Sequence, residues 1–221
     1  MLDILYEDKF IVCCIKPVGI ISEYVQGKTN CMPEIVKKHT GAYKIDVLHR
    51  LDKLVGGVMV FSKNRNASAA LSKMILAHNV QKQYLAVVSG EPDKKQGIMQ
   101  DILFRDSKLN KSFVVKSERK GTKFAELEYE VLQTVTTPKG KMSLVKIELH
   151  TGRTHQIRVQ FSSRKMTLIG DDKYGNHDDC DIALFSHKLA FDHPVIKDKR
   201  VEVSALPANK YPWNLFNIND I

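Results

Sequence analysis

Residues 125–131 read Ala-Glu-Leu-Glu-Tyr-Glu-Val, with apolar side chains at 125, 127, 129 and 131 and glutamates between them. Successive side chains of a strand face opposite ways, so a period of two gives one face to a core and the other to water. Met142 to Leu149 repeats the pattern, with Val145, Ile147 and Leu149 on one side. Working outward, Phe10 to Ile15, Val58 to Phe61 and Gln83 to Val88 are short apolar runs rich in β-branched residues and bounded by turn residues. Helical spacing is rarer. Ala67, Leu71, Met74 and Ile75 give one stripe, with Asn64 or Asn66 as its cap, and a short helix is expected near Met32 to Lys38. Many hairpin-like strands with few helices predict an α+β fold on an antiparallel or mixed sheet.

The chain of 221 residues, 43% of them hydrophobic, supports one substantial core, and residues 1–221 are expected to form a single domain. No apolar run approaches the roughly eighteen residues that span a bilayer. The opening MLDILYEDKFIVCC carries acids where a secretion signal needs cations, which points to the cytoplasm. Cys13, Cys14, Cys31 and Cys180 show no CxxC pairing, so buried free thiols are expected rather than a zinc ribbon or a disulfide frame. Lysine and arginine number 34 against 25 acids, a formal net charge of +9 that favours polyanions, nucleic acid first. Residues 91–123 are basic and turn-rich, either a solvated surface or a face that tracks phosphates, and the tail after Pro207 is expected to wrap the surface.

Two motifs carry the candidate chemistry. His49-Arg50-Leu51-Asp52 puts a carboxylate on a loop just before the strand at Val58, and residues 150–161 read HTGRTHQIRVQF. In the second, Thr151-Gly152-Arg153 makes a turn, and Thr154 is expected to cap a helix that carries His155 and Arg158 on one face. Asp52 in so basic a chain is either one half of a structural ion pair, with Arg50 or Arg158, or a working carboxylate. An arginine nearby holds a carboxylate in its charged, nucleophilic form, and the permanently charged Arg158 suits that better than a lysine. Lys16, at a strand end before Pro17, is a candidate cation or an ordinary solvated lysine. Lys82 and Tyr84 open the strand at 83–88. A lone tyrosine there is packing by default and becomes chemical only beside a flat base. The histidines lack the spacing of a metal site: His150 and His155 are five apart across a turn, and His187 and His193 gain no third ligand. There is no GxSxG elbow, no phosphate loop and no dinucleotide fingerprint.

Taken in order, the motifs resemble those of the RluA family of RNA pseudouridine synthases. KPVGI (16–20), HRLD (49–52), KQY (82–84), GTKFAELEYEVL (121–132), HTGRTHQIRVQF (150–161), IGDDKYG (169–175) and LFSHKLAFDHPV (184–195) stand in the family's sequence along nearly the whole chain. The resemblance implies a pseudouridine synthase fold, a mixed and mainly antiparallel bent sheet with flanking helices and loops. It implies an isomerase that converts uridines of ribosomal RNA or tRNA to pseudouridine without a cofactor or metal. Asp52 would be the catalytic aspartate, Arg158 its salt-bridge partner, and Tyr84 the residue that stacks on the flipped base and takes its C5 proton. Arg50 would fill the space the flipped nucleotide vacates, and His49, Lys82, Arg153, His155 and Lys16 would contact RNA. RNA is the expected partner of a monomer, with no membrane.

The chain also departs from the family pattern. Val55-Gly56-Gly57 stands where a Thr-Ser-Gly segment is usual, Gln160 replaces a frequent histidine, and Met166-Thr167 replaces a frequent His-Pro. No S4-like domain is expected, since the catalytic motifs begin near residue 1, which leaves target recognition to the catalytic domain or to RNA shape. A non-catalytic RNA-binding or RNA-folding protein on the same fold is the alternative, and it would not require a carboxylate facing a polyanion. A glycosidase would want two carboxylates about the scissile bond, with Asp171 or Asp172 as the second.

Overall fold

The computed structural model describes residues 2–27, 29–175 and 178–221. Its strands are β1 (Ile4–Glu7), β2 (Ile11–Lys16), β3 (Asp46–Val47), β4 (Gly56–Ser62), β5 (Gln81–Ser89), β6 (Gln96–Asp106), β7 (Lys111–Val115), β8 (Thr122–Thr137), β9 (Gly140–Leu149), β10 (Leu184–Asp192) and β11 (Arg200–Ser204). The helices are α1 (Met32–Thr40), α2 (Arg65–Leu76) and α3 (Gln156–Ser163), followed by two short 3-10 turns near the C-terminus. The expected α+β class holds. Contacts group the chain into two compact units, Met1–Lys82 with Phe185–Pro207, and Gln83–Leu184 with Ala208–Ile221.

In the first unit β1, β2 and β4 run antiparallel in that order, β10 lies parallel to β4, and β11 pairs antiparallel with β10. Its core joins Ile11 and Cys13 of β2, Val58 and Val60 of β4, Ala67 and Leu71 of α2, and Leu189 and Phe191 of β10. Helix α2 starts where its sequence says: the Asn64 side-chain oxygen accepts from Ala67 N at 3.0 Å. Its apolar stripe, Ala67 and Leu71, is then buried on the sheet. Cys13, Cys14 and Cys31 are buried thiols as read, and Cys180 is only half-buried. Burial pushes the Cys14 thiol up to about 12.

Strand β4 has an unusual second side. β10 pairs with it only at Gly56 and Gly57, and β3 only at Phe61 and Ser62. Two side chains fill the interval: Ser186 Oγ donates to Val58 O at 3.0 Å, and His49 Nε2 accepts from Val60 N at 3.1 Å. Buried backbone groups are thereby satisfied without a continuous neighbour strand. Gly57, at φ +121°, lies so close to the Ser186 backbone that a Cβ there would overlap it. That close approach accounts for the glycine that Val55-Gly56-Gly57 shares with the usual Thr-Ser-Gly segment, and not for Val55 or Gly56.

The second unit is an antiparallel meander in the order β5-β9-β8-β6-β7. The alternating glutamate strand is part of β8, and its inward Ala125, Leu127 and Tyr129 are buried as the period of two requires. Regular alternation stops after Val131 because the register with β9 shifts between Val131 and Gln133, a bulge at Leu132. Helix α3 packs Val159 against Leu103 and Ala125, and Phe161 meets Tyr129 edge-on with ring centroids 5.9 Å apart.

Three expectations need correction. The basic segment 91–123 is not mainly turns: most of it is the β6–β7 hairpin and the start of β8. Thr154 does not cap α3; the N-cap is His155, in the left-handed region at φ 56°, so His155 precedes the helix and shares no helical face with Arg158. The tail does not wrap the surface, since Trp213, Phe216 and Ile218 are buried and Gln133 exchanges hydrogen bonds with Asn217.

Candidate active site

The HRLD loop leaves β3 after Val47 and returns to the sheet at Gly56. Alternate residues of it are tied down. At 49, the imidazole accepts from β4 as above. Burial, and then the charge of Lys82, push His49 down to about 4, so at neutral pH the ring is uncharged with its proton on Nδ1. At 51, Ser22 Oγ donates to Leu51 O at 2.7 Å and accepts from Leu51 N at 3.1 Å, a closed pair inside the protein. At 53, the carbonyl accepts from Lys16 Nζ at 3.1 Å and from Gly19 N at 2.8 Å. Between these anchors lie Arg50, exposed and bonded to Glu23 at 2.9 Å, and the half-buried Asp52, whose carbonyl closes a turn with Val55 N.

Lys16 is not the solvated cation that a strand end suggested. It is fully buried, and its ammonium donates to Pro17 O, Ile20 O and Lys53 O. Those three bonds fasten the KPVGI turn to the residue after Asp52. Burial lowers Lys16 to about 8, opposed by the charge of Asp52. Lys82 is buried as well, at the start of β5. Lys16 thus acts first on the protein's own loops, and the charge of Lys82 is felt at His49.

In the second unit, residues 150–161 are fixed by an amide. Gln156 Oε1 accepts from Thr151 Oγ1 at 2.8 Å and from Arg153 N at 3.0 Å, while its Nε2 donates to Glu126 O at 3.0 Å. This one side chain satisfies the turn and sews it to β8. Arg153 reaches Phe124 O with Nε at 2.8 Å. Tyr84 sits on β5 opposite Ile147 and is 7% exposed.

Arg158 projects from α3 and is buried. Its Nε donates to Asp171 Oδ2 at 2.8 Å and its Nη2 to Asp171 Oδ1 at 2.7 Å, a two-point pair with both partners out of solvent. Asp171 Oδ1 also accepts from Lys173 N and Tyr174 N. The guanidinium lies 5.2 Å from the Tyr174 ring centroid, and the Tyr174 hydroxyl accepts from Ser112 N at 2.7 Å and meets His155 Nδ1 at 2.9 Å. Burial raises the Tyr174 phenol. Asp171, Tyr174, Gln156 and Ser22 are the residues that motif reading did not assign. IGDDKYG was available as a pattern, but its acid and phenol gain a physical role only once Arg158 is seen lying between them.

A family model described as RNA pseudouridylate synthase matches residues 10–163. The chain belongs to the RNA pseudouridine synthases. They are isomerases that act on RNA, and the motif resemblance to the RluA group agrees with curated relatives. The ribosomal large subunit pseudouridine synthase D of Zymomonas mobilis is 30% identical over 92% of this chain and 68% of its own length. The tRNA pseudouridine synthase C of Haemophilus influenzae is 30% identical over 90% of each chain. Among solved structures, human RNA pseudouridylate synthase domain containing 1 superposes with a TM-score of 0.78 at 20% identity, covering 94% of this synthase and 84% of that chain, which establishes the shared fold.

Proposed function

We propose that this synthase converts particular uridines of ribosomal RNA or tRNA to pseudouridine, with Asp52 as the reacting carboxylate. The observation that carries the assignment of Asp52 is the anchoring of its loop at residues 49, 51 and 53, which fixes the backbone on both sides of the carboxylate. A side chain on so stiff a mount loses little freedom when a substrate arrives, as a preorganised catalytic group should. The names of the relatives above supply the two RNA classes.

The target atom lies inside the RNA stack, so the nucleotide is extruded before chemistry. The C1′–N1 bond breaks, the uracil turns, C1′ joins C5, and the C5 proton is lost while N1 gains one. Atoms and oxidation level are conserved, so the reaction calls for no cofactor. Asp52 enters either by attack on C1′ or by assisting elimination at the sugar. Arg158 is assigned to hold that carboxylate ionised, with Asp171 as its support, and Tyr84 to stack on the base and accept the C5 proton. Arg50, exposed and paired with Glu23, is assigned to the gap left in the stack.

Tritium release from RNA labelled at uridine C5, drawn from cells lacking this protein, tests the assignment. The wild type should release label, and Asp52→Asn should lose at least about a thousandfold in rate while keeping RNA affinity. Equal release by Asp52→Asn would remove Asp52 from the chemistry. No release by either, with RNA bound, would leave an RNA-binding protein on this fold.

A further inference from the structure

Phe104 of β6 stands opposite Phe113 of β7, and Ile102 of β6 lies between Val115 of β7 and Phe124 of β8. Directly opposed residues and residues two apart share a face, so these five form one two-row patch across three strands. The opposite face of the same strands is the one α3 covers, through Leu103 and Ala125. The patch itself is open: Phe113 is 38% and Phe124 46% exposed. Arg119 lays its guanidinium 4.8 Å from the Phe104 ring centroid.

Charge says what the patch fits. Residues 104–124 hold seven lysines and arginines and two acids, a net +5 in a chain whose total is +9. Further along β8 the same face turns acidic, at Glu126, Glu128 and Glu130, the first of which binds Gln100 at 2.6 Å. A polyanion is therefore drawn to the hairpin end and excluded from its root. Exposed rings among cations suit a strand whose bases are unpaired, each with a π-face to stack and a phosphate beside it. An A-form duplex hides its base faces and would use only the cations.

We propose that this outward face of β6, β7 and the start of β8 is a stacking platform for an unpaired segment of the RNA substrate, which rests on the synthase acting on RNA. Bases lie on Phe113 and Phe124, and Arg119 and Lys120 take phosphates. The contact is separate from the uridine undergoing reaction and sets which flanking RNA is accepted.

Anisotropy of a fluorescein-labelled twelve-residue oligouridylate, with a twelve-base-pair RNA duplex beside it, tests the platform on the full chain. Phe113→Ala with Phe124→Ala should weaken oligouridylate binding about 10-fold or more, leave duplex binding alone, and keep the slope of affinity against salt. Phe113→Leu with Phe124→Leu preserves apolar area and strand propensity, so a loss there isolates the rings even if the alanine pair folds poorly. Arg119→Gln with Lys120→Gln should instead lower the salt slope by about one to two. Wild-type oligouridylate affinity in the leucine pair, or equal losses on both RNAs, would overturn the platform. So would a wild-type dimer in sedimentation that the phenylalanine changes dissolve, since the occupant would then be a second copy. Tritium release by the wild type is read separately: its absence with ring-dependent binding intact fails the catalytic assignment and not the platform.

Discussion

The loop around Asp52 and the segment around Arg158 are both held rigid, but by opposite means. Residues 49–53 are fixed through several separate hydrogen bonds, none of them an ion pair: to an uncharged imidazole, a serine hydroxyl and the Lys16 ammonium, which gathers carbonyls. Arg158 is fixed by a buried charge, the carboxylate of Asp171, with an aromatic ring beside it. Distributed hydrogen bonds contribute about 1 kcal/mol each, and no single one decides the loop. A buried ion pair gives little net stability, yet removing one partner is severe because the other charge stays behind. The first unit should therefore degrade in steps, and the second should fail at once.

The largest expected effect is Asp171→Ala, which removes the two-point buried partner of Arg158 and should cost about 3–5 kcal/mol in urea unfolding. A loss below about 1 kcal/mol would show that Arg158 finds water, and the contrast between the two regions would collapse. Acid comes next. The pKa of His49 in the folded chain, about 4, lies below its ordinary 6.5, so between those values the unfolded chain binds more protons. The associated stability is complete above about pH 6.5 and drains away as pH falls through 4, on the order of 3 kcal/mol in all. Urea midpoints from pH 7 to 4 should show it, and His49→Gln should flatten that stretch. Asp8, bonded to His193 and two backbone N–H groups and held at about 2 against the contrary pull of burial, acts only below its usual range and leaves that window clear.

Lys16→Met tests whether the loop depends on a charge at all. Pro17 O and Ile20 O lose that donor and Lys53 O keeps only Gly19 N, but a buried cation also disappears, so a stability loss of about 1–3 kcal/mol is expected. Isomerisation should fall further than that loss explains, since residue 53 keeps only its bond to Gly19 N; unchanged turnover in a folded variant would mean that Ser22, His49 and Gly19 suffice. Ser22→Ala should be mildest, about 1 kcal/mol by thermal unfolding, because Leu51 keeps its buried side chain as an anchor.

Strictly periodic elements were legible in the sequence. β8, β9 and α2 appear where alternation, helical spacing and Asn64 put them, because each has one wet and one dry face. The β6–β7 hairpin was not, because apolar residues fall on both of its faces, Ile98, Ile102, Phe104 and Phe113 on one and Met99, Leu103 and Val114 on the other, so neither period stands out. The helix start failed for a different reason. Thr154 has the chemistry of a cap, but α3 begins one residue later at a left-handed His155 with no side-chain cap, and Gln156 turns instead to Thr151, Arg153 and, across the sheet, Glu126. Lys16 and Asp171 show the same limit for the site: residue type revealed the charge, and only the fold revealed what it was buried against.

The amide of Val60 has consequences for observation. It donates to an imidazole nitrogen where its neighbours along the strand donate to carbonyls. In a nitrogen-15 spectrum that one amide and the His49 ring become a reporter pair, each shifting if the other lets go. Attachment of the HRLD loop could thus be followed during RNA titration by a probe native to the chain, with no label placed near Asp52.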